Sequence, residues 1–226
     1  MVTDLDVLLV SPVRVVGRLF TLWREEDFFS TLFSSFSRIV LGFFAAFFLS
    51  GLLAMFACRF PVLEILLRPY VVTVRAVPVA SFIIIGLIWL TTGSLAVFIS
   101  FLMVFPILYQ NALQGLKSAD PKLLEMARLY RVPRLRRLHM LYLPAVKPYL
   151  LSACSVALGM SWKAGVAAEV IGMVDGSIGE KLYYAKIYLD TCDLFAWTVV
   201  LVLASVIFEK AFLFLLKKLF AGSEKL

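Results

Sequence analysis

The chain has 226 residues, of which 62% are hydrophobic and 16% are charged, and its formal net charge is +7. Soluble domains contain about 25% charged residues, so this composition excludes a soluble globular protein and a disordered chain. Backbone groups in hydrocarbon must be satisfied internally, and the composition therefore predicts an all-α integral membrane protein. At about 20 residues per crossing, the chain has room for about five or six transmembrane helices and no large soluble domain.

Residues 1–30 form a mixed polar segment that lacks the basic start and the long apolar run of a signal peptide. Asp4 and Asp6 stand where a signal peptide would be basic. Val13 to Trp23 is predicted to form an amphipathic helix on the membrane surface. We expect this N-terminal segment to be extracytoplasmic, because counting the spans back from a cytoplasmic C-terminus leaves it outside.

Apolar runs predict the transmembrane helices in chain order. The first is Ile39–Ala57, which contains no charged residue. Ala76–Leu116 is also uncharged, but one helix of 41 residues would be about twice as long as the hydrocarbon core is thick. The chain is expected to turn back at Thr91–Ser94, with kinks at Pro78 and Pro106. The predicted spans are 39–57, 70–90, 94–114, 148–168 and 194–216.

Two polar segments set the predicted orientation. Residues 115–147 contain eight of the 22 Lys and Arg residues, whereas residues 172–193 contain two basic and four acidic residues. Basic residues accumulate on the cytoplasmic side, so 115–147 is predicted to be cytoplasmic and 172–193 extracytoplasmic. The transmembrane domain is then 31–220, followed by a cytoplasmic tail at 221–226.

The residue types argue against catalysis and metal binding. One histidine and three widely spaced cysteines leave no Ser-His-Asp triad, no zinc site and no disulfide framework. No phosphate-binding loop of the form G-x-x-x-x-G-K-[ST] occurs, so ATP and Mg would have to be held by another polypeptide. We expect a protein that is not an enzyme and carries no cofactor of its own.

The basic segment contains one short amphipathic helix. Pro121 to Tyr130 is predicted to be helical, with Asp120 as N-cap and Pro121 at the first helical position. Val132-Pro133 ends it, and Leu143-Pro144 marks the entry into the next span. Spacings of three and four residues predict one shared apolar face, made of Leu123, Met126, Ala127 and Tyr130.

This segment resembles the cytoplasmic motif of binding-protein-dependent ABC importer permeases. That motif reads Glu-Ala-Ala, three residues, Gly, nine residues, Ile, one residue and Leu-Pro. This chain has Glu125-Met126-Ala127, Arg131, Leu141 and Leu143-Pro144 at the same spacing. Arg131 replaces the glycine, and we expect this to change the local backbone.

Other segments are similar to the nitrate, sulfonate and taurine branch of these permeases, which includes relatives for thiamine precursors. They are Ser11-Pro12, Ser37–Phe43, Arg75–Pro78, Ala119–Glu125 and Ala167–Gly172. Members of this branch usually have six spans, with one before the Ser-Pro segment. The five spans predicted here are one fewer than the resemblance implies.

The resemblance implies the type I importer transmembrane fold, with the helix in the basic segment acting as a coupling helix. It also implies two ATP-binding subunits, a second permease copy, an extracytoplasmic substrate-binding protein and a multi-pass location in the bacterial inner membrane. Lipid would surround the spans, and no nucleic acid is involved. The residues implied in coupling to the ATPase are Glu125, Met126, Ala127, Arg128, Leu129, Tyr130, Arg131, Leu141, Leu143 and Pro144.

Four residues are candidates for the translocation path: Arg75, Trp162, Lys163 and Glu169. The span at 148–170 is rich in small residues, which favour close helix approach. Lys163 lies about 22 Å along it from Pro148, where a charge either serves function or snorkels to the interface. A positive path suits a small anion such as nitrate, a sulfonate or taurine.

Two other functions remain as alternatives. The coupling subunit of an energy-coupling-factor vitamin transporter also docks ATPases through cytoplasmic helices. It would show paired Ala-Arg-Gly motifs, whereas this chain has Ala127-Arg128 followed by Leu129. A self-contained carrier would show two related halves, and a membrane enzyme would show clustered acids or nucleophiles.

Overall fold

The computed structural model describes residues 10–223, and the predicted positions of Asp4, Asp6 and the last three residues of the tail lie outside that range. The described chain is helical throughout, joined by short connections, which confirms the predicted all-α class. The helices are α1 (Pro12–Leu22), α2 (Phe28–Arg59), α3 (Pro61–Ala76), α4 (Val79–Trp89), α5 (Thr92–Lys117), α6 (Pro121–Leu129), α7 (Arg134–Arg137), α8 (Leu143–Gly172), α9 (Ile178–Ile187) and α10 (Thr191–Ser223), with a π turn at Leu138–Tyr142.

Within the described residues, four helices are long and apolar enough to cross a membrane: α2, α5, α8 with its preceding π turn, and α10. Helices α3 and α4 add a fifth span only if they are counted together, because the chain bends by 106° between them. The continuous helix predicted over 70–90 is therefore wrong. Pro78 forces the preceding Val77 into an extended conformation (φ −82, ψ 134), which ends α3 rather than kinking it.

The amphipathic helix predicted at Val13 to Trp23 is confirmed as α1. Leu22 is fully buried, while Val13 and Phe20 are exposed. Arg18 of α1 donates to Asp193 at the start of α10 over 2.5 Å and pairs with Glu25 over 2.6 Å. The hydrogen bond to Asp193 raises the pKa of Arg18, which remains charged.

Helix α9 lies within 172–193, which the sequence pattern presents only as a polar loop. Its start is a capping box: Ser177 Oγ accepts from the N–H of Glu180 (3.0 Å), and Glu180 accepts in return from the N–H of Gly176 (2.6 Å). The Ser-x-x-Glu spacing at 177–180 is the signal that predicts this helix.

The helix leading into α8 starts earlier than predicted. It begins at Arg134 and runs through the π turn, whereas the sequence placed the entry at Leu143-Pro144. Pro144 has no N–H and its ring would crowd the carbonyl of Met140 in a regular α-helix. In the wider turn the N–H of Leu143 bonds to the carbonyl of Leu138, which relieves this conflict.

The described chain forms two compact units, each with its own core. The first comprises the described part of Met1–Gly42 with Pro78–Ser100 and Ser161–Ile207, and the second comprises Phe43–Val77, Phe101–Met160 and the described part of Phe208–Leu226. Trp197 and Ile178 pack with Leu22 in the first unit. In the second, Phe43 packs edge-on against Phe212, with ring centroids 5.1 Å apart.

Gly165 marks a close approach of α8 to its neighbours in the first unit. A Cβ at this position would lie 2.6 Å from Ile39 Cγ1 and 2.6 Å from Ser100 Oγ, so α2 and α5 both approach the glycine closely. Small residues at such positions let membrane helices approach closely.

We predict that Gly165→Ala destabilises the protein by about 1–3 kcal/mol, because overpacking forces neighbouring side chains or backbone to shift. The measurement is thermal unfolding in detergent. Gly159→Ala on the same helix is the matched control, since nothing lies within 4 Å of a Cβ there. A Gly165→Ala variant that unfolds at or above the wild-type temperature contradicts this packing.

Candidate functional site

The predicted helix in the basic segment is confirmed as α6, and local interactions define both of its ends. Asp120 Oδ1 accepts from the N–H of Lys122 (2.9 Å), and Pro121 occupies the first helical position. Tyr130 is the C-cap. Capping of this kind compensates for the short length of α6, because isolated helices of this size are marginal in water.

The four residues predicted to share an apolar face do so. Leu123, Met126, Ala127 and Tyr130 all line one cavity of about 260 Å³ between α6 and the residues that follow it. Ala127 is buried, but Met126 and Tyr130 are 54% and 74% exposed. The remaining lining residues are Val132, Arg136, Arg137, Met140 and Leu141.

Exposed apolar side chains on this polar segment form what we call the coupling patch: Leu123, Met126, Leu129, Tyr130 and Met140. Its borders are basic, since Arg128, Arg131 and Arg136 are exposed next to it in the chain. An exposed apolar patch with a charged rim is typical of a protein-binding surface.

Arg131 adopts the left-handed conformation, with φ at +50. The N–H of Val132 donates to the carbonyl of Ala127 (2.9 Å), and the N–H of Arg131 donates to the carbonyl of Arg128 (3.0 Å). These two bonds form a Schellman motif, in which the left-handed position is usually glycine. Arg131 therefore has the backbone conformation that glycine usually adopts at this position. The change in the local backbone expected from replacing glycine by arginine is not seen.

The other residues implied in coupling lie on three elements. Glu125 and Arg128 are exposed on α6, Leu141 is half-buried in the π turn, and Leu143 and Pro144 begin α8. Leu143 also lines an apolar groove of about 710 Å³ that α2, α5 and α8 form within the second unit. Their roles in coupling stay predictions.

The four candidate path residues have different environments. Arg75, in the second unit, is exposed and donates to Gln110 Oε1 over 2.5 Å. In the first unit, Trp162 is buried beside Phe36, with ring centroids 5.9 Å apart. Lys163 is exposed and forms no hydrogen bond or ion pair that the described part of the chain shows. Their position on a path stays a prediction.

Glu169 is fully buried and hydrogen-bonded within the first unit. Its Oε2 accepts from Ser35 Oγ (2.7 Å) and from the N–H of Gly179 (3.3 Å), and Arg38 Nη1 lies 3.7 Å from its Oε1. The sequence pattern did not identify Ser35 and Arg38 as partners of Glu169. Both residues precede Ile39, where the predicted first span begins. Arg38 within an otherwise apolar helical run is the signal that points to a buried partner.

A second intramembrane acid was also missed. Glu209 lies in α10 and accepts from Ser155 Oγ of α8 over 2.6 Å, within the second unit. The charged pair Glu209-Lys210 interrupts the apolar run at 194–216 and is visible in the sequence. Glu209 joins two helices by a charge-assisted hydrogen bond.

Comparisons with known proteins identify the family. A family profile described as "Binding-protein-dependent transport system inner membrane component" matches residues 38–221. The taurine transport system permease protein TauC of Escherichia coli is 25% identical over 209 residues, which cover 90% of this chain and 76% of that protein.

Two further relatives point to related transport systems. A Bacillus subtilis protein is 28% identical over 198 residues, which cover 85% of this chain and 70% of the length of that protein. Its provisional name is aliphatic sulfonates transport permease protein SsuC. The bicarbonate transport system permease protein CmpB of Synechococcus elongatus is 33% identical over 85 residues. These residues cover 37% of this chain and 30% of the length of that protein.

We predict that Arg131→Gly stabilises α6 by about 0.5–1 kcal/mol, because glycine adopts positive φ without steric cost. Hydrogen–deuterium exchange of the 121–132 amides should slow about threefold. The control is Arg128→Gly inside α6, which should speed exchange because glycine disfavours helix interiors by about 1 kcal/mol. Faster exchange in Arg131→Gly would show that the left-handed conformation carries no strain.

Proposed function

The chain belongs to the family of binding-protein-dependent transport system inner membrane components, and from that premise we propose that it is the permease subunit of an ATP-driven ABC importer for a small anion. The named relatives transport taurine, aliphatic sulfonates and bicarbonate, which supports an anionic substrate. ATP and Mg are bound by two partner ATPase subunits. A second permease copy completes the path, and an extracytoplasmic binding protein delivers the solute.

The observation that carries the coupling role is the coupling patch. Apolar side chains that remain exposed in a polar, basic segment favour burial against another protein. The patch is rigid before it meets a partner, because Asp120 caps α6 and the Schellman motif ends it. A preorganised helix loses little conformational entropy on docking and transmits displacement of the partner into the spans.

The proposed orientation follows from charge. The basic segment at 115–147 faces the cytoplasm, where the ATPase subunits are, and α9 faces the opposite side. The C-terminus is then cytoplasmic in the bacterial inner membrane.

Lys163 is proposed to line the path of the anion. Lys163 itself is exposed, and Ala167, one turn further along α8, is small. Lys210 on α10 differs, because Phe214, one turn further along that helix, is large and exposed, as on a lipid-facing surface. An exposed cation beside a small residue attracts anions without blocking their passage.

We predict that Tyr130→Glu lowers co-purification of the ATP-binding subunit about tenfold, as expected for loss of an interface hot spot. The permease is tagged in its native host, and proteins bound to it in detergent are quantified by mass spectrometry. Tyr188→Glu is the matched control, since both tyrosines are helix C-caps and are 74% and 76% exposed.

The expected result is retention of the ATP-binding subunit in the Tyr188→Glu variant and its loss in Tyr130→Glu. Equal retention in both variants refutes the coupling patch as the docking surface. If no ATP-binding subunit is retained by the wild-type chain, the importer function itself is refuted.

We predict that Lys163→Met lowers uptake of a transported anion by about tenfold or more, because the path loses its attraction for negative charge. Uptake of radiolabelled taurine, ethanesulfonate and bicarbonate is measured in cells that express the complete importer. Lys163→Arg should retain uptake because it keeps the charge, and Lys210→Met should leave uptake unchanged. Full uptake by Lys163→Met places this lysine outside the path.

A further inference from the structure

One oxygen of Glu169 ties the first turn of α9 to two spans. Oε2 accepts from Ser35 of α2 and from the N–H of Gly179, while Ser35 Oγ accepts from the N–H of Ile178 (2.8 Å). A Cβ on Gly179 would lie 2.3 Å from Glu169 Cβ, so only glycine allows α9 to come this close. The free N–H groups of Ile178 and Gly179 at the start of α9 thus donate to the Ser35 hydroxyl and to the buried carboxylate, respectively.

The other oxygen of Glu169 has no hydrogen bond. Arg38 Nη1 lies 3.7 Å from Oε1, and both buried atoms lack a hydrogen-bond partner among the described residues. A charge-assisted N–H···O bond spans about 2.7–2.9 Å, so a small shift would close this one. The carboxylate therefore has two kinds of partner: Ser35 and α9, which donate hydrogen bonds to Oε2, and Arg38, which lies at ion-pair distance from Oε1 without a hydrogen bond.

The backbone on either side of α9 contains residues in the left-handed conformation. Met173 before the helix and Leu189 after it both have left-handed φ values, 47 and 55, and Gly176 has 61. Such conformations are costly for residues other than glycine and recur in switch regions. The C-terminal end of α9 is open, since Ile187 and the C-cap Tyr188 are exposed.

We propose that α9 is a movable extracytoplasmic gate and that Glu169 is the positioning residue that latches it. This inference rests on the proposed importer function and orientation. When α9 moves away and the N–H of Gly179 is lost, Arg38 closes to hydrogen-bond distance, so that Glu169 replaces the lost donor with a charged one. Without Arg38, opening would leave the buried carboxylate with Ser35 but without the N–H of Gly179 or a charged partner, which disfavours the open state.

The first test uses the purified permease alone and does not depend on a substrate or on ATPase subunits. Hydrogen–deuterium exchange at Ile178 and Gly179 reports opening of α9. Glu169→Gln weakens the latch and should speed exchange. Arg38→Met removes the second partner and should slow exchange about threefold or more, while Arg38→Lys should restore the wild-type rate.

The direction in which Arg38→Met changes the exchange rate at α9 distinguishes a movable gate from a fixed structural contact. If Arg38 merely stabilises the closed arrangement, its removal speeds exchange at α9, and that result overturns the proposal. Unchanged exchange in Arg38→Met overturns it as well, because the open state would then not need this arginine.

The second test asks whether α9 moves during the ATPase cycle. Ser35→Cys with Ile178→Cys spans the latch, and Ser100→Cys with Ser161→Cys spans a buried contact between α5 and α8 (Ser100 Oγ to Ser161 O, 3.2 Å) as the control. Both pairs are built with the three native cysteines replaced by alanine. Disulfide formation is timed in the complete complex, without nucleotide and with ATP and vanadate.

The latch pair should form its disulfide at rates that differ about tenfold between the two nucleotide states, as expected for a shifted population, and the control pair should not. Equal rates for the latch pair show that α9 stays in place and overturn the gate. Failure of the complex to assemble refutes the importer function instead, and the exchange measurements on the permease alone then still decide whether Arg38 and Glu169 form a latch.

Discussion

A charged group inside a membrane-spanning helix is stable only when it is paired, hydrogen-bonded or open to water. This constraint explains the environments of the charges within the spans. Glu169 is surrounded by N–H and hydroxyl donors, and Glu209 accepts from Ser155 on a neighbouring helix. Lys163 is exposed, and that exposure is what gives it a proposed role in transport.

The basic segment obeys the opposite constraint, because it lies in water and its apolar side chains are the costly ones. Leu129 and Tyr130 are exposed although nothing in the local sequence requires it. α6 keeps them in place by its two caps and by burial of Ala127. A nine-residue helix of this kind does not gain stability from its exposed face, so that face is free to serve a partner.

Local signals made part of this structure predictable. Asp120-Pro121 and the spacing of Leu123, Met126, Ala127 and Tyr130 defined α6 and its apolar face, because caps and helical periodicity act over a few residues. Hydropathy located four of the five predicted spans for the same reason. The sequence predicts a kink at Pro78, whereas α3 ends there, because a proline in an apolar run does not by itself distinguish a kinked helix from a broken one.

The latch around Glu169 was beyond sequence reasoning. Ser35 and Glu169 lie 134 positions apart, and no local pattern connects them. Arg131 shows a related limit. A glycine at this position would indicate a left-handed end to α6, whereas an arginine does not. The conformation is set by the two hydrogen bonds of the motif and not by the preference of the residue.

The π turn at Leu138–Tyr142 has a consequence for how this chain can evolve. A π turn holds one residue more than the α-helical turn it replaces. Deleting a residue there would convert the turn to regular α-helix and restore the clash between the Pro144 ring and the carbonyl four residues before it. Such a deletion would kink or break the helix between the coupling patch and α8. The turn is therefore expected to tolerate substitutions better than the loss of a residue.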